Sequence, residues 1–549
     1  MRFLKKSIGG MVMTASISAI MIPIPSLSAD QTALTRKIES LSRQLEEIKQ
    51  QMQDLRRQES ENTSRVTTVE QKTLNTEQKV RGVEKKTQET AKSSPIEISG
   101  DYRFRFDSLK ATSAPYIAFP DAMQSMMIGT MPPVQNSRDY KNSSLLTNRL
   151  GLNVKVKATE DVTLKARLLM YKIWGHGTTG PVTGDFFGDR FSFFDGHFDG
   201  NSGHIPEDDS LRVDQAYATW SGIGGSSLWF SVGRRPSTGG IPTNVRQNIE
   251  KGASETAGVP GLLIDYAFDG ATLGIAPEIS MLPGAYAKFC FGRGFESGMS
   301  QNKNLKDVNF AGINITPYVT DNLRVELQWD RAYNIFAYPE YKFGQTSGFG
   351  PNQNLGDIDQ FGISAIGKLE NLGPGDLTLF ASGAASKTHP SNGLITMATG
   401  TDAQGNPTTM PVAGLMYDYG EAKESKTGTA FYIGGRYDLK SINTKFGLEY
   451  NHGSKNWVAF APASDDMWTA KQGVHGNVYE VYVIHELNSK PISKFGKAQF
   501  RLGYQHYDFK YTGSNNWVGS PKNIDDINAQ MFTPIKDADD IYLTFDVMF

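Results

Sequence analysis

The residues of this chain with the most evident chemical purpose are basic. Arg103 and Arg105, then Arg149, Lys155 and Lys157, then Lys165 and Arg167, sit at alternate positions of three stretches that read as extended chain. Alternate positions of a strand share a face, so seven cations gather on one surface. Such a surface does not break bonds. It sets a field that sorts ions by sign. Glu97, Asp101 and Asp107 share the face and dilute that field, and a ladder of cross-strand ion pairs is an equally good reading of the same residues.

Other chemistry is harder to assemble. His176, His197, His204, His389, His452, His475, His485 and His506 are scattered, with no close metal-ligand spacing and no Cys-His haem motif. Cys290 is the single cysteine, which excludes an intrachain disulfide and reads as a loop thiol. Met123, Met126, Met127 and Met131 cluster in one segment. Thioethers bind Cu(I), but such a cluster equally makes a flexible apolar contact surface. No nucleophile–base pair stands out. A barrel hydrolase would need Ser, His and an acid or carboxamide brought together in space. The expectation is a non-enzyme without metal or cofactor. A net charge of -2 gives no basic bias toward nucleic acid.

The elements that would carry the basic face are clearest at the C-terminus. Ile541, Leu543, Phe545, Val547 and Phe549 fall on one face of a strand, and Tyr542, Thr544 and Asp546 on the other, with Met548 the one apolar intruder. A transmembrane β-barrel needs this alternation, because one face of each strand meets lipid and the other a watery lumen. The last strand of a soluble sandwich is the alternative. At the other end, Arg2, Lys5 and Lys6 precede a mostly apolar run to Pro25, and Ser26-Leu27-Ser28-Ala29 supplies small residues. This reads as a secretory signal peptide over 1–29, cleaved after Ala29. Pro23 and Pro25 argue against an uncleaved anchor helix. No later window reaches the run of about 18 apolar residues that a spanning helix needs.

Residues 30–93 differ in composition from the rest of the chain, being polar and without Phe, Trp or Tyr. Ile38, Leu45 and Met52 occupy heptad a, and Leu34, Leu41, Ile48 and Leu55 occupy d. The phase holds through Glu59 and Asn62, Val66 and Val69, Thr73 and Thr76, to Val80 and Val83. The heptads imply a periplasmic coiled coil, with a solvated single helix as the alternative. The a/d pattern alone does not choose dimer or trimer; a homo-oligomer joined by residues 31–90, expected as a trimer, is the reading. Ala91 to Pro95 reads as a linker.

From 94 to 549 alternation gives about sixteen strands. The first is 96–107, and a hairpin from Arg149 to Leu168 turns at 159–161. Further strands are expected near 211–221, 227–235, 260–268, 271–281, 305–317, 321–334, 357–369, 376–388, 427–439, 442–453, 475–487, 494–510 and 539–549. Short links at 159–161, 222–226, 269–270, 318–320, 370–375, 440–441 and 488–493 alternate with long ones. Outer-membrane barrels have short periplasmic turns and longer outer loops. Closure would bring Arg501 beside the basic face.

With the heptads from Leu34 to Val83, the Arg149-to-Leu168 hairpin, the strand from Leu228 through Val232-Gly233-Arg234-Arg235-Pro236, and terminal Phe549, the chain resembles the sixteen-stranded bacterial outer-membrane porins, in particular those with a periplasmic coiled coil. None of these motifs names a solute. The resemblance implies an all-β transmembrane antiparallel barrel in the outer membrane, with Phe549 in the assembly signal. It also implies that the third long link, 236–259, folds into the lumen as a constriction loop carrying Arg246, Glu250, Lys251 and Glu255; an ordinary surface loop is the alternative. Arg103, Arg105, Arg149, Lys155, Lys157, Lys165, Arg167 and Arg501 would then line the pore. Three function classes stay open: a passive channel for small hydrophilic solutes or ions, a structural tether or a sheath for a partner such as an electron conduit, and a barrel enzyme. Outer-membrane lipid is the expected surround, with peptidoglycan or a periplasmic protein as further partners.

Overall fold

The computed structural model describes residues 95–175, 208–236, 242–249, 262–264, 267–299, 305–336, 353–402, 404–461, 466–527, 529–530 and 533–549, with Pro206 and scattered positions between 42 and 57. The chain divides into two units, Met1–Ser94 and Pro95–Phe549. The expected signal peptide lies outside the described residues. So do the heptad positions, except Met52, which is helical and exposed.

The second unit is a closed barrel of sixteen antiparallel strands. They are β1 (Ile96–Ser113), β2 (Asp139–Lys157), β3 (Val162–Ile173), β4 (Arg212–Ser221), β5 (Leu228–Pro236), β6 (Ala267–Ile275), β7 (Tyr286–Phe295) and β8 (Val308–Val319). Then come β9 (Leu323–Phe336), β10 (Asn354–Leu372), β11 (Gly375–Pro390), β12 (Thr427–Leu439), β13 (Thr444–Gly453), β14 (Gly476–Glu486), β15 (Lys497–Phe509) and β16 (Ile535–Met548). Each pairs with its neighbours in chain order, and β1 closes on β16.

The two faces of the wall are inverted relative to a soluble protein. In β16, Tyr542 and Thr544 point inward and are 1% and 0% exposed, while Ile541, and Phe549 just beyond the strand, point outward at 50% and 42%. The same holds round the ring, with Leu164, Val232, Leu273, Ile313, Ile363, Ile433, Leu448, Val481 and Leu502 all exposed on the outer face. Leaving one such side chain in water costs roughly 1.5–3 kcal/mol. A complete apolar belt is therefore stable only against lipid. Among the described residues no helix is long and apolar enough to cross a membrane; the crossing is made by strands.

The seam between first and last strands explains the terminal aromatic. Phe549 N–H donates to Gly100 O at 3.0 Å, and Gly100 N–H donates to Phe549 O at 2.8 Å. A Cβ on Gly100 would sit 2.5 Å from the Phe549 ring, so the glycine leaves the space that the ring fills. Deleting Phe549 should lower the fraction of heat-resistant barrel in outer-membrane preparations severalfold. A normal yield would mean that the seam closes without it.

Two expected strands were misplaced. In place of 260–268 and 271–281 the chain forms β6 and β7, and the turn between them is 276–285. Asp269-Gly270 looks like a turn dipeptide but lies inside β6, paired with Arg293 and Gly292. A Cβ at Gly270 would fall 2.0 Å from Phe291 O, so this glycine marks a close backbone approach rather than a turn. The shift also moves Cys290 from a loop into β7, opposite Thr272. The first long link shrinks to 114–138, because β1 and β2 both extend farther than their alternation suggests.

The long links L1 to L8 share one end of the barrel: 114–138, 174–211, 237–266, 296–307, 337–353, 391–426, 454–475 and 510–534. In L1 a helix, α1 (Phe119–Ile128), leaves Met126, Met127 and, just beyond it, Met131 exposed. L6 folds into a three-stranded sheet of its own. The apolar core sits inside this end of the barrel. Leu262, Leu263 and Ile264 of L3, Leu415 and Met416 of L6, Trp457 to Ala461 of L7, and Trp517 and Val518 of L8 pack against inward Phe310, Phe380 and Tyr432. The loops are stitched together there: Phe460 N–H donates to Leu263 O at 2.7 Å, and Met416 N–H to Trp517 O at 2.9 Å.

Candidate functional site

L3 leaves the wall at Pro236 and rejoins it at Ala267, yet its segment 242–249 rests on β12 to β15, on the far side of the ring. The local reason is a helix end. α2 (Thr243–Arg246) is a single turn, and carbonyls at a helix C-terminus lack intrahelical partners. Here four successive carbonyls take side-chain donors from the wall. Arg436 donates to Val245 O at 2.6 Å, Arg501 to Arg246 O at 3.0 Å, Gln499 to Gln247 O at 3.3 Å and Lys497 to Asn248 O at 3.4 Å. Asn248 turns the chain at φ 55°, a left-handed conformation that Asn tolerates at a helix end. Its side-chain amide donates to Glu486 at 2.7 Å and its carbonyl accepts from Lys445 at 2.8 Å.

The Arg246 side chain continues the dock into a buried charge network. Its Nη1 reaches Asp466 Oδ1 at 2.5 Å and Glu480 Oε2 at 3.0 Å. Burial works against its charge, but the Asp466 and Glu480 carboxylates outweigh that and push its pKa well above the ordinary arginine value. Glu480 faces Glu449 directly across the β13–β14 register, where like charges repel. Lys471 of L7 resolves this. Its Nζ pairs with Glu449 Oε2 at 2.5 Å and with Glu480. Gln505 Nε2 donates to Asp466 at 2.7 Å, and Tyr542 OH to Glu480 Oε1 at 2.6 Å. L3 and L7 are thus held inside the barrel by charges that satisfy one another.

The basic face of the first three strands points inward, but it is not one continuous field. Arg103 pairs with Asp546, and Arg105 with Asp107 at 2.6 Å and Asp540 at 3.2 Å. Arg105 and Arg501 both lie over the Tyr542 ring, at 4.7 and 5.2 Å. All three arginines are nearly sealed from solvent, so they brace the wall rather than line open water. Arg167 pairs with Asp101 at 2.7 Å and Asp214 at 3.5 Å, and Arg149 approaches Asp101 at 3.8 Å. Lys155 and Lys165 stand opposite each other in register, with Lys157 next along, opposite Thr163. Among the described residues none of these three lysines has a carboxylate at ion-pair distance. They form a solvated positive patch near the short-turn end of the inner wall. Of the expected constriction residues, Arg246 sits in the buried network with Asp466 and Glu480, and Glu250, Lys251 and Glu255 lie outside the described residues.

The sequence reading missed Asp466, Lys471, Glu449 and Glu480. The two glutamates stand at inward positions of correctly identified strands, a signal that was available. That they face each other depends on register, and that L7 returns to pair them depends on tertiary contact.

The family described as "Protein of unknown function (DUF3373)" matches residues 139–549. The chain matches no curated protein. Among solved structures it resembles a Pseudomonas putida OprB (TM-score 0.38, 10% identity, covering 83% of this chain and 94% of that one). It resembles a Salmonella typhi OmpF solved with daunomycin (0.37, 8%, 82% and 97%) and Vibrio cholerae OmpT, an outer membrane protein in trimer form (0.35, 11%, 83% and 100%). At these scores and identities no role passes from those proteins to this chain.

Proposed function

Because the chain belongs to the DUF3373 family of proteins of unknown function, its role has to come from its own barrel, and we propose that it is an outer-membrane channel for passive diffusion of small hydrophilic solutes or ions. One observation supports this most: the wall is apolar outside, many of its inward positions are polar or charged, and L3 reaches across the interior to the opposite wall. Bacterial barrels of this kind sit in the outer membrane with short turns toward the periplasm. The coiled coil would then lie in the periplasm and join copies into an oligomer, a trimer in the porin pattern, and it could reach peptidoglycan or a periplasmic protein.

The field in such a channel would come from Lys155, Lys157 and Lys165, since Arg103, Arg105, Arg149 and Arg167 stand beside carboxylates and Arg501 is sealed into the wall. In a salt gradient across a planar bilayer the wild type should show weak anion preference. Replacing the three lysines by Glu should move the zero-current potential toward cation preference, and folding should survive because the side chains are solvated. An unchanged potential at normal conductance would remove the patch from the pathway.

A second reading is a tether that anchors a periplasmic partner and conducts little. The apolar cluster that L3, L6, L7 and L8 build inside the barrel favours it. The same cluster weighs against a sheath, which needs a lumen free to receive its partner.

A further inference from the structure

The outward side chains of β13 to β15 change character in order toward the loop end. On β13 they run Leu448, Tyr450, His452, and on β15 Leu502, Tyr504, His506, Asp508. The rings form a row across the wall: Phe431 meets Tyr450 at 5.5 Å, Tyr450 meets Tyr479 at 5.0 Å, and Tyr479 meets His506 at 6.5 Å. Aromatic girdles of this kind sit at the bilayer interface. Just beyond the row a cavity of about 550 Å³ opens where the ends of β13 and β15 meet L8 and the start of β16. Its volume lies within the range of roughly 300–1,000 Å³ of small-ligand sites. His452 lines the cavity and touches Phe431 at 5.2 Å, so girdle and cavity adjoin. L8 shapes the opening: Ile524 N–H donates to Lys510 O at 3.0 Å, and Thr512 N–H to Lys522 O at 2.9 Å. Lys455, Lys510 and Lys536 line it together with Asp508 and Asp525. Lys510 donates to one oxygen of Asp508 at 2.9 Å, and Asn477 donates to the other at 3.1 Å. Lys536 stays 3.7 Å from Asp525. Lys455 stands over the Tyr511 ring at 5.7 Å, and among the described residues no carboxylate lies at ion-pair distance from it.

We propose that this cavity binds the headgroup of a lipid that carries a phosphate monoester on a sugar, in the leaflet at the loop end of the barrel. Each lysine ammonium offers three donors. Three ammoniums here face two carboxylates, one of which already accepts from Asn477, so the balance of charge and donors favours an anion. Phosphate oxygens are strong acceptors for such donors, and the volume leaves room for a sugar beside the phosphate. The acyl chains would run down the outer face over Tyr504, Leu502 and Val481, all exposed there. That continuity from cavity to girdle to apolar belt selects a lipid over a soluble phosphate. The site needs the barrel to sit in a bilayer but does not need an open lumen, so it stands apart from the channel reading.

Full-length protein in a neutral detergent is titrated with a diacylated glucosamine phosphate, and bound lipid is counted by native mass spectrometry. One lipid per barrel should be retained about tenfold or more tightly than the same lipid without its phosphate, since charge-assisted bonds are the strong ones. Lys455→Gln, Lys510→Gln and Lys536→Gln together should weaken binding by about a hundredfold, from roughly fivefold per lysine beside an anionic lipid. Arg at the same three positions should keep it, and Lys490→Gln with Lys494→Gln, on the short turn before β15, should change nothing. The comparison of the two lipids on the wild type needs no variant, so a folding defect cannot hide the answer. Equal affinity for both lipids would overturn the site, and so would binding that survives the triple Gln variant. Glucosamine phosphate without acyl chains should displace the lipid only at far higher concentration. Displacement at equal concentration would make this a site for soluble sugar phosphates and overturn the lipid assignment. Selective lipid retention by a barrel that passes no current keeps the site and refutes only the channel.

Discussion

Replacing Lys471 by Met should destabilise the folded barrel by about 3–5 kcal/mol, the usual cost of removing one partner from a buried ion pair. Lys471 is 1% exposed and stands between Glu449 and Glu480, both also 1% exposed. Without it, one buried carboxylate faces another across the register, with Arg246, Gln505, Tyr432 and Tyr542 left to share the charge. Urea unfolding in lipid vesicles, followed by tryptophan fluorescence, measures the loss. The identity of the cause is checked by adding Glu449→Gln, which removes the repulsion. The double variant should recover most of the stability, giving a coupling energy of the size expected for groups in contact, about 0.5–3 kcal/mol. A single-variant loss below about 1 kcal/mol would place Lys471 among the surface pairs that contribute little.

Replacing Arg246 by Glu, with Arg501→Gln added to loosen the backbone clamp, should free the tip of L3 and raise single-channel conductance severalfold. The substitution puts a carboxylate where Asp466 and Glu480 now bind a guanidinium. The opposing term is the clamp on four carbonyls from Arg436, Arg501, Gln499 and Lys497. At about 0.5–1.5 kcal/mol for an ordinary hydrogen bond and somewhat more for charged donors, the clamp is comparable to the lost pair. Arg246→Glu alone should therefore give flickering between two levels, and Arg246→Glu with Arg501→Gln a steady higher level. Arg246→Lys, which keeps the charge, should change little. Unchanged conductance from a folded double variant would show that L3 does not set the restriction.

The barrel was legible because its code is local. Alternation such as Tyr542, Thr544 and Asp546 against Ile541, Leu543 and Phe545 needs no knowledge of the rest of the chain. It failed at β6 and β7, where Asp269-Gly270 mimics a turn and the true turn, 276–285, carries Pro and Gly in a less tidy order. That error left Lys288 and Cys290 in a loop, whereas both stand in β7. The interior was mostly illegible. Which face a residue takes follows from parity, but whether Arg105 meets water or Asp540 depends on a closing register 435 residues away in sequence. The return of L7 to neutralise Glu449 and Glu480 is a tertiary fact with no periodic signature.

Whether this ring of strands encloses a water path past its own loops is tested most directly by single-channel recording of the purified, heat-modifiable wild-type barrel in a planar bilayer. Discrete, reproducible conductance steps with weak anion preference are the predicted result. Folded protein that inserts and passes no current would contradict it, and would mean that the apolar cluster of L3, L6, L7 and L8 closes the lumen and that the barrel serves as an anchor.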